Sequence, residues 1–426
     1  MRRTVVSLAF LVCAVAACGE PSKESAVGSS APSLPALLRS VDGSREVAPA
    51  PGWAPGTRFV FFSTNAVTQS DPGKMGMRRD PNGPIRDDKG GRWSLTKPVA
   101  GSTGGVGYTV IDVVAADASG LVLDQRLYFL PQGERGPSRY TTSNAIRTTN
   151  AGGDFFIHPA LLAKVEPLDE EGITIIRERF DRDGREVPAI RYTAHVAGYS
   201  TRVYDLASGT LLSETYVTQG SQGSFAGDDR YIREATVRTS GTHTFVRARS
   251  RSLPWLGGSS PDWVARTRRL VYRGVVESRG GGVPGGTAGV TSTYALRAAG
   301  PTWSIHDVST VGDPQPGIPQ IPVSATFATG TGSDGGLWID PKRLAELEPG
   351  RIVDEDPILH ARTSVSGRGP LPDGRATVTI TSDSPIQRID RLYDLANGRL
   401  LSSTTTEPIA GTNLTRVTRL DLASAE

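Results

Sequence analysis

One motif occurs twice in the chain, first as Arg202-Val203-Tyr204-Asp205-Leu206-Ala207-Ser208-Gly209-Thr210-Leu211-Leu212-Ser213 and again as Arg391-Leu392-Tyr393-Asp394-Leu395-Ala396-Asn397-Gly398-Arg399-Leu400-Leu401-Ser402. Nine of the twelve positions are identical. In each copy, aliphatic and aromatic residues flank a turn whose aspartate (Asp205, Asp394) can bond its own backbone, and whose glycine (Gly209, Gly398) can adopt a positive φ. Each copy therefore predicts a β-hairpin with a loop of about three to five residues, entered through Tyr204 or Tyr393.

Two further pairs of segments repeat in the same order. Residues 156–167 match residues 338–349, and a weaker pair begins at Trp53 and Trp263. The copies are offset by 210, 182 and 189 residues in chain order, so the loops between them differ in length. A fixed order with variable spacing indicates a tandem duplication of one domain.

The middle pair of segments predicts a short helix in each half. Asp340 can cap a helix that has Pro341 at its first position, and the helix ends before Pro349. Leu344 and Leu347 fall on one face of it. The counterpart begins at His158 and Pro159, and its expected buried residues are Leu161, Leu162 and Val165.

Most of the remaining chain is predicted to form strands. Runs such as residues 377–381 alternate polar and apolar side chains, and 49 glycines and 30 prolines separate such runs. We predict an all-β protein with one short helix per domain. The domains comprise residues 50–250 and 262–426, joined by a linker near residues 253–261. The glycine tract at residues 101–107 is interpreted as a flexible loop.

The N-terminus has the features of a secretory signal. Met1-Arg2-Arg3 precedes an apolar run over residues 5–17, which is shorter than the ~20 residues that span a bilayer. The run closes with Val15-Ala16-Ala17-Cys18-Gly19, which resembles the lipobox of bacterial lipoproteins. The resemblance implies that residues 1–17 are removed and that Cys18 carries a diacylglycerol group. The alternative is a soluble secreted protein cleaved after Ala17.

The lipobox resemblance also implies a location. Residues 18–49 would then comprise the lipidated cysteine and a flexible Ser/Pro/Ala/Gly-rich linker. The expected location is the cell envelope, where the N-terminal lipid would anchor the protein to a membrane. Gly19 is not the aspartate associated with retention in the inner membrane, so a Gram-negative host would sort the protein to the outer membrane.

Composition and motif spacing exclude several kinds of chemistry. The only other cysteine, Cys13, leaves with the signal, so the mature chain forms no internal disulfide. The net charge is +3 without basic runs, which argues against nucleic acid as a partner. The five histidines lack zinc-ligand spacing, and residues 331–335 only approach a nucleophile elbow. We therefore expect no cofactor and no enzymatic activity.

Acidic clusters leave two alternatives open. Asp354 and Asp356 follow the second helix motif, and a carboxylate-rich loop there could bind calcium. One of them paired with a distant carboxylate could also serve an envelope hydrolase as acid and base. Solvated loop acids are the preferred interpretation.

The hairpin signature and the domain length resemble the superfamily of curved antiparallel sheets that includes bacterial lipoprotein carriers and receptors. The resemblance implies two half-barrel-like sheets, and in those proteins the sheet wraps apolar ligands. Our leading hypothesis is a non-enzymatic binding or scaffold lipoprotein with an envelope protein as its partner. The alternative is a lipid or lipoprotein carrier whose concave sheet holds an apolar ligand.

Overall fold

The structure is a computed structural model, and a defined set of residues is described. These residues are 48, 50–70, 76–79, 85–86, 92–96, 101–117, 120–131, 140–170, 172–195, 198–224, 233–280, 286–313, 323–408 and 414–426. The predicted signal peptide, lipidated Cys18 and most of the linker lie outside the described residues.

The first half of the chain is built from strands. Its strands are β1 (Thr57–Ser70), β2 (Gly76–Arg79), β3 (Ile85–Arg86), β4 (Arg92–Thr96), β5 (Gly101–Asp117), β6 (Gly120–Pro131), β7 (Tyr140–Thr148), β8 (Gly152–Gly153), β9 (Phe156–Ile157), β10 (Leu168–Glu170), β11 (Ile173–Arg182), β12 (Arg185–Ala194), β13 (Gly198–Asp205), β14 (Leu211–Ser224) and β15 (Arg233–Ser250). Ten of them form one antiparallel sheet in the order β10-β11-β12-β13-β14-β15-β1-β5-β6-β7. Strands β2, β4 and β3 form a small separate sheet, and β8 pairs with β9.

The second half repeats this topology. Its strands are β16 (Arg269–Gly280), β17 (Thr287–Gly300), β18 (Trp303–Gly312), β19 (Val323–Gly330), β20 (Ile352–Asp356), β21 (Ala361–Pro370), β22 (Ala376–Asp383), β23 (Arg388–Asp394), β24 (Leu400–Pro408) and β25 (Leu414–Ala425). They form a ten-stranded sheet in the order β19-β18-β17-β16-β25-β24-β23-β22-β21-β20, the same sequence of neighbours as in the first sheet. Neither sheet closes into a barrel. The all-β prediction with two tandem sheet domains is confirmed.

Three short α-helices accompany the sheets in the described residues, together with one 3-10 turn at Pro51–Trp53. They are α1 (Pro159–Leu162), α2 (Asp262–Arg266) and α3 (Pro341–Ala345). Asp340 caps α3 by accepting a hydrogen bond from the Lys342 amide, as predicted, and His158 Nδ1 accepts one from the Ala160 amide. None of these helices has the length and apolar content needed to cross a membrane. Helix α2 is additional to the one helix per domain that was predicted; it follows the expected linker, and the burial of Val264 holds it against the core of the second domain.

Both repeated motifs form the predicted hairpins. Strand β13 ends at Asp205 and β14 begins at Leu211, and the second copy joins β23 to β24 in the same way. Asp205 Oδ1 accepts a hydrogen bond from the Ala207 amide at 2.9 Å. Gly209 has a φ of 71°, and a Cβ added there would lie 1.9 Å from the Ile157 carbonyl oxygen. The glycine is therefore required both by its conformation and by the close approach of β9.

The tyrosine of each motif fastens its hairpin to the segment before the helix. Tyr204 donates a hydrogen bond to the Asp154 carbonyl at 2.9 Å, and Tyr393 donates one to the Gly336 carbonyl at 3.0 Å. Both tyrosines are fully buried. The motif residues therefore have structural roles.

The glycine tract at residues 101–107 lies in β5, so its interpretation as a loop is wrong. Gly105 is paired with Asn65 of β1 and with Pro131 of β6, and Gly107 is paired with Ser63 and Phe129. Hydrogen bonding to strands on both sides holds this stretch extended despite the low strand propensity of glycine.

Large aromatic side chains fill the core of each domain. In the first domain Trp53 stacks on Phe59 with ring centroids 4.0 Å apart and lies 4.7 Å from Phe156. The second core contains Trp255 and Trp338, both 1% exposed. Trp255 belongs to the segment predicted as a linker, and its indole donates a hydrogen bond to the Ser333 carbonyl at 2.8 Å. The connection between the sheets is thus packed into the second core.

The two domains pack against each other. Val114 and Val122 on the outer face of the first sheet form an apolar cluster with Trp303 and Ile305 of β18. On one edge of the second sheet, Thr326 of β19 accepts a hydrogen bond from the Ala145 amide of β7 at 2.9 Å. The opposite edge strand, β20, reaches the first domain through the charged residues described next.

Candidate functional site

Charged residues converge where the outer face of the first sheet meets the second domain. We call this group the boundary cluster. It consists of Arg58 in β1, Asp112 in β5, Asp124 and Arg126 in β6, Arg249 in β15, Arg251 just after β15, Asp334 between β19 and α3, and Asp354 and Asp356 in β20.

The sheet register places the first-domain members side by side. Arg58 is paired with Asp112 on one side and with Arg249 on the other, and Asp112 is paired with Asp124. Successive side chains of a strand point to opposite faces, so these residues face outward while Phe59 and Ile111 point into the core. A row of charged side chains therefore lies on the face of the sheet opposite the aromatic core.

Arg58 is the centre of the cluster and binds carboxylates of both domains. Its side chain is 4% exposed. Nε and Nη2 donate to the two oxygens of Asp112 at 2.7 and 2.8 Å. Nη2 also donates to Asp334 at 2.7 Å, and Nη1 donates to Asp356 at 3.1 Å. One guanidinium thus connects a first-domain strand with two separate segments of the second domain.

Two more arginines converge on Asp334. The Arg251 side chain is fully buried, donates to Asp334 and to the Gly332 carbonyl, and lies 3.4 Å from Asp112. Arg126 donates to Asp334 at 3.0 Å, contacts Asp112, and has its Nε 3.1 Å from an Asp124 oxygen. Asp334 therefore accepts from three first-domain arginines.

Asp354 and Asp356 lie in a strand and are ion-paired, which corrects their interpretation as solvated loop acids. Arg249 donates to both oxygens of Asp354 at 2.7 Å and to Asp356 at 3.3 Å. Pairing with Arg249 and Arg58 neutralises the negative charge on which calcium binding depends. Within the described ranges, no group of three or more His, Cys, Asp or Glu side chains could hold a metal ion.

The arginines determine the protonation state of most of these carboxylates. Burial alone would raise the pKa of Asp334, but the charges of Arg58, Arg251 and Arg126 hold that pKa well below its ordinary value. The same balance lowers the pKa of Asp112 and of Asp356. An acid catalyst at neutral pH needs a raised carboxyl pKa, so the lowered pKa of Asp356 argues against the hydrolase alternative at this position.

Asp124 and Arg251 show the opposite effect of burial. The pKa of Asp124 is raised, because burial outweighs the opposing effects of Arg126 and the Ser143 hydroxyl. Burial likewise lowers the pKa of Arg251 although Asp112 and Asp334 oppose it. The cluster therefore contains residues whose charged form is stabilised by their surroundings and residues whose charged form is destabilised by burial.

A small polar cleft adjoins the boundary cluster. Its volume is about 50 Å³, and its lining includes Arg126 and Tyr128 from the first domain and Arg362, Gln387 and Arg391 from the second. Pockets for drug-sized ligands measure ~300–1,000 Å³ and are mainly apolar. The cleft is thus too small and too polar for an acyl chain.

Sequence patterns pointed to Asp354 and Asp356 but not to Arg58, Asp112 and Asp334 as members of the site. Arg58 stands directly before the apolar run Phe59-Val60-Phe61, and Asp112 stands between Ile111 and Val113. A charge within an otherwise apolar strand was the available signal, because such a residue must find a buried partner.

Comparison with known proteins shows a likeness to solved structures alone. No family model matches the chain, and no curated protein matches it. Among solved structures, the chain is similar to the crystal structure of a protein of unknown function from the DUF3598 family of Nostoc punctiforme. The identity is 12%, the TM-score is 0.14, and the match covers 87% of this chain and 97% of that chain. Nothing about function follows from a likeness at this TM-score.

Proposed function

We propose that this chain is an envelope lipoprotein, anchored through lipid on Cys18, whose two domains form one rigid, non-enzymatic binding or scaffold unit. The observation that carries the proposal is the boundary cluster, in which Arg58 binds Asp112 of its own domain together with Asp334 and Asp356 of the other. Arg58 thereby joins the first sheet to the loop after β19 and to the edge strand β20.

Because these side chains are buried, the ion pairs that join the two domains are costly to break. The side chains of Arg58, Arg251 and Asp112 are at most 4% exposed. Removing one partner of such a pair leaves an uncompensated buried charge, which costs about 3–5 kcal/mol. A scaffold that presents two sheet surfaces at a fixed angle requires an interface of this kind, whereas separate binding modules on a flexible linker do not.

The filled cores support a scaffold over a carrier. A lipid carrier needs an apolar space for its ligand, but the space within the first sheet is occupied by Trp53, Phe59 and Phe156 in ring contact. The cleft at the domain boundary is small and lined by charged side chains, and a larger open cleft of about 400 Å³ in the second sheet is lined mainly by polar side chains such as Arg362, Thr381 and Asp383. Partner proteins of the envelope are therefore the preferred ligand class.

The anchor is tested by incorporation of labelled palmitate in a bacterial host. We expect label on the unaltered chain and on Cys13→Ala, and none on Cys18→Ala. The Cys13 variant is the matched control because it removes the other cysteine, which precedes the expected cleavage site. Equal label on the Cys18 variant would refute lipidation at this residue.

The ligand class is tested by native mass spectrometry of the chain purified from envelope extract. A mass that equals the acylated polypeptide supports the scaffold. A stoichiometric additional lipid that survives purification would instead support the carrier alternative. The two outcomes differ by several hundred daltons on the scale of common membrane lipids, so a single spectrum separates them.

A further inference from the structure

The two copies of the repeated motif place an arginine at the same position but give it different neighbours. Arg202 of β13 donates to Glu214 at 2.8 Å and to Asp154 at 2.9 Å. The strand register pairs Arg202 with Glu214 and, in the second domain, pairs Arg391 of β23 with Ser403. The glutamate that neutralises the first arginine is therefore replaced by a serine beside the second.

The other acidic partner is replaced as well. The equivalent tyrosines of the two motifs donate to the carbonyls of Asp154 and Gly336, so a glycine stands where the first domain has its aspartate. Arg391 is partly buried and donates to the Ser382 hydroxyl at 3.4 Å, and within the residues that the structure describes it has no ion pair. Its guanidinium therefore retains donors and a positive charge for a group from outside the chain.

Arg391 lines the polar cleft at the domain boundary. The same lining provides hydrogen-bond donors in Ser384 and Gln387, and apolar surface in Tyr128, Leu359 and Ile389. A cleft of about 50 Å³ holds a few water-sized groups, since one water needs ~10–15 Å³. The cleft therefore admits one group of about the size of a carboxylate, with a short aliphatic stem against the apolar side chains.

The acidic side chains of the cleft are balanced by other arginines. Asp334 and Asp354 are ion-paired within the boundary cluster. Asp383 of β22 stands between Arg362 and Arg388 in the strand register. Among the described side chains of the cleft, this leaves a positive charge in excess at the remaining arginine. The three aspartates would repel a dianionic group more strongly than a group with one negative charge, so a single carboxylate suits the cleft better than a phosphate.

We propose that the cleft binds a carboxylate on a short aliphatic stem, held by Arg391, and that this stem is a glutamate side chain of a partner protein. A planar guanidinium and a carboxylate match through two parallel hydrogen bonds. The first domain contains such a pair of groups within the chain, Arg202 with Glu214. The proposal deepens the binding role proposed above and rests on it for the source of the glutamate.

The test measures how fast phenylglyoxal, which modifies accessible guanidinium groups, reacts with individual arginines of the full chain in detergent. Peptide mapping by mass spectrometry reports each arginine separately. The probe is N-acetylglutamate α-amide, whose one carboxylate is that of the side chain, and N-acetylglutamine α-amide is its uncharged counterpart. When the probe concentration is about ten times its dissociation constant, the rate at Arg391 should fall about tenfold. The uncharged compound should leave that rate unchanged.

Two other arginines are internal references in the same experiment. Arg202 is already paired with Glu214 and Asp154, so it should react slowly with or without the probe. Arg273 of β16 is exposed, so it should react quickly under both conditions. Protection that appears equally at Arg273 would show a general effect of the probe and would overturn the assignment to the cleft.

A pair of serine variants tests the comparison between the domains. Ser403→Glu places a glutamate opposite Arg391, as Glu214 stands opposite Arg202, and should lower the Arg391 rate to that of Arg202 without any probe. Ser402→Glu is the matched control, because successive side chains of a strand point to opposite faces. Its Arg391 rate should equal that of the unaltered chain. Equal rates in the two variants would mean that Arg391 does not face Ser403.

Propionate, the free acid with the same stem, distinguishes the two sources of the carboxylate in the unaltered chain. A partner glutamate requires protection of Arg391 by the glutamyl probe, which carries its backbone amides. Protection by propionate alone would mean that the cleft admits only small free acids and would overturn the partner as the source. An Arg391 rate that neither compound lowers would overturn the carboxylate site itself, while the anchor and the scaffold are judged separately from the palmitate and mass measurements.

Discussion

Two buried aspartates of the boundary cluster, Asp334 and Asp124, have pKa values shifted in opposite directions. Three arginines hold the pKa of Asp334 well below its ordinary value, so ionised Asp334 stabilises the fold. This contribution is complete above the unfolded-state pKa of about 3.9 and is lost as the pH falls through the lower folded-state pKa. Burial raises the pKa of Asp124, so its charge is a cost above that pKa. The same residue type in one cluster therefore has opposite effects on stability.

Replacing these two carboxylates by amides should separate the effects. Asp334→Asn removes one of the two carboxylates that Arg58, Arg126 and Arg251 share, since only Asp112 remains, and we expect it to lower the free energy of unfolding at pH 7 by about 3–5 kcal/mol. Asp124→Asn removes a strained charge, and the change should stay within about 1 kcal/mol. Urea unfolding measures both values. Equal losses would contradict the assignment of opposite roles.

The same pair of variants has distinct pH behaviour. Because Asp334 is protonated only at low pH, the unaltered chain should lose stability as the pH falls from about 4 to 2, and Asp334→Asn should lose less over that range. Asp124→Asn should instead lose slightly more than the unaltered chain, because unfolded-state Asp124 takes up its proton within this range while folded-state Asp124 already carries one. Unfolding titrations at three pH values within this range give the slopes. A slope unchanged in Asp334→Asn would mean that Asp334 is not paired in solution.

Gly209 allows a similar comparison at a single backbone position. Gly209 and Gly184 both have left-handed φ angles, 71° and 77°, but an added Cβ meets the Ile157 carbonyl only at Gly209. Gly184→Ala should cost about 1–2 kcal/mol from conformation alone. Gly209→Ala should cost more than about 3 kcal/mol, since β9 must also move. Thermal unfolding of both variants measures the difference, and similar values would show that β9 is not held against the hairpin.

At the scale of elements, one arginine in each domain completes the short helix. Arg177 of β11 donates to the carbonyls of Ala163 and Val165 at 2.8 and 3.0 Å. Arg368 of β21 donates to those of Ala345 and Leu347, both at 3.1 Å. A helix of four or five residues leaves most of its final carbonyls without partners, so a cation at this end satisfies them.

Removing the arginine at the helix end should weaken each helix modestly. Arg177→Met is expected to cost about 1 kcal/mol, because the lost hydrogen bonds lie near solvent. Arg179→Met is the matched control, since the Arg179 side chain is 71% exposed and its ion pair with Glu186 is long, at 3.7 Å. The control should change stability by less than about 0.5 kcal/mol. Chemical denaturation of the two variants provides the measurement, and identical effects would remove the capping role.

Turns and caps that depend on contacts between residues close in the chain were predictable from the sequence. The Asp205 turn and the Asp340 cap each depend on contacts two residues apart, which a sequence pattern contains. The first residues of β5, 101–107, were mistaken for a loop because their pairing partners lie in β1 and β6, and this pairing outweighs the low strand preference of the glycines. The Arg58 bonds to Asp334 and Asp356 cross 276 and 298 residues. No local pattern carries such contacts.

At the scale of the whole molecule, duplication produced two copies of one topology that now differ by what each contributes to the boundary. The first domain supplies the arginines, and the second supplies Asp334, Asp354 and Asp356. Position Asp112 corresponds to Ala295 in the second sheet when the pairings of β1 with β5 and of β16 with β17 are compared. Asp112 is therefore not part of the repeated pattern, and the charges of the boundary cluster bind the two copies to each other.

Scanning calorimetry of the full chain tests the central claim that the boundary cluster makes the two domains one cooperative unit. We predict a single transition whose calorimetric enthalpy equals its van't Hoff enthalpy, and two separate transitions for Asp334→Asn. Two transitions in the unaltered chain, with midpoints that Asp334→Asn leaves unchanged, would show that the domains unfold independently and would contradict the account.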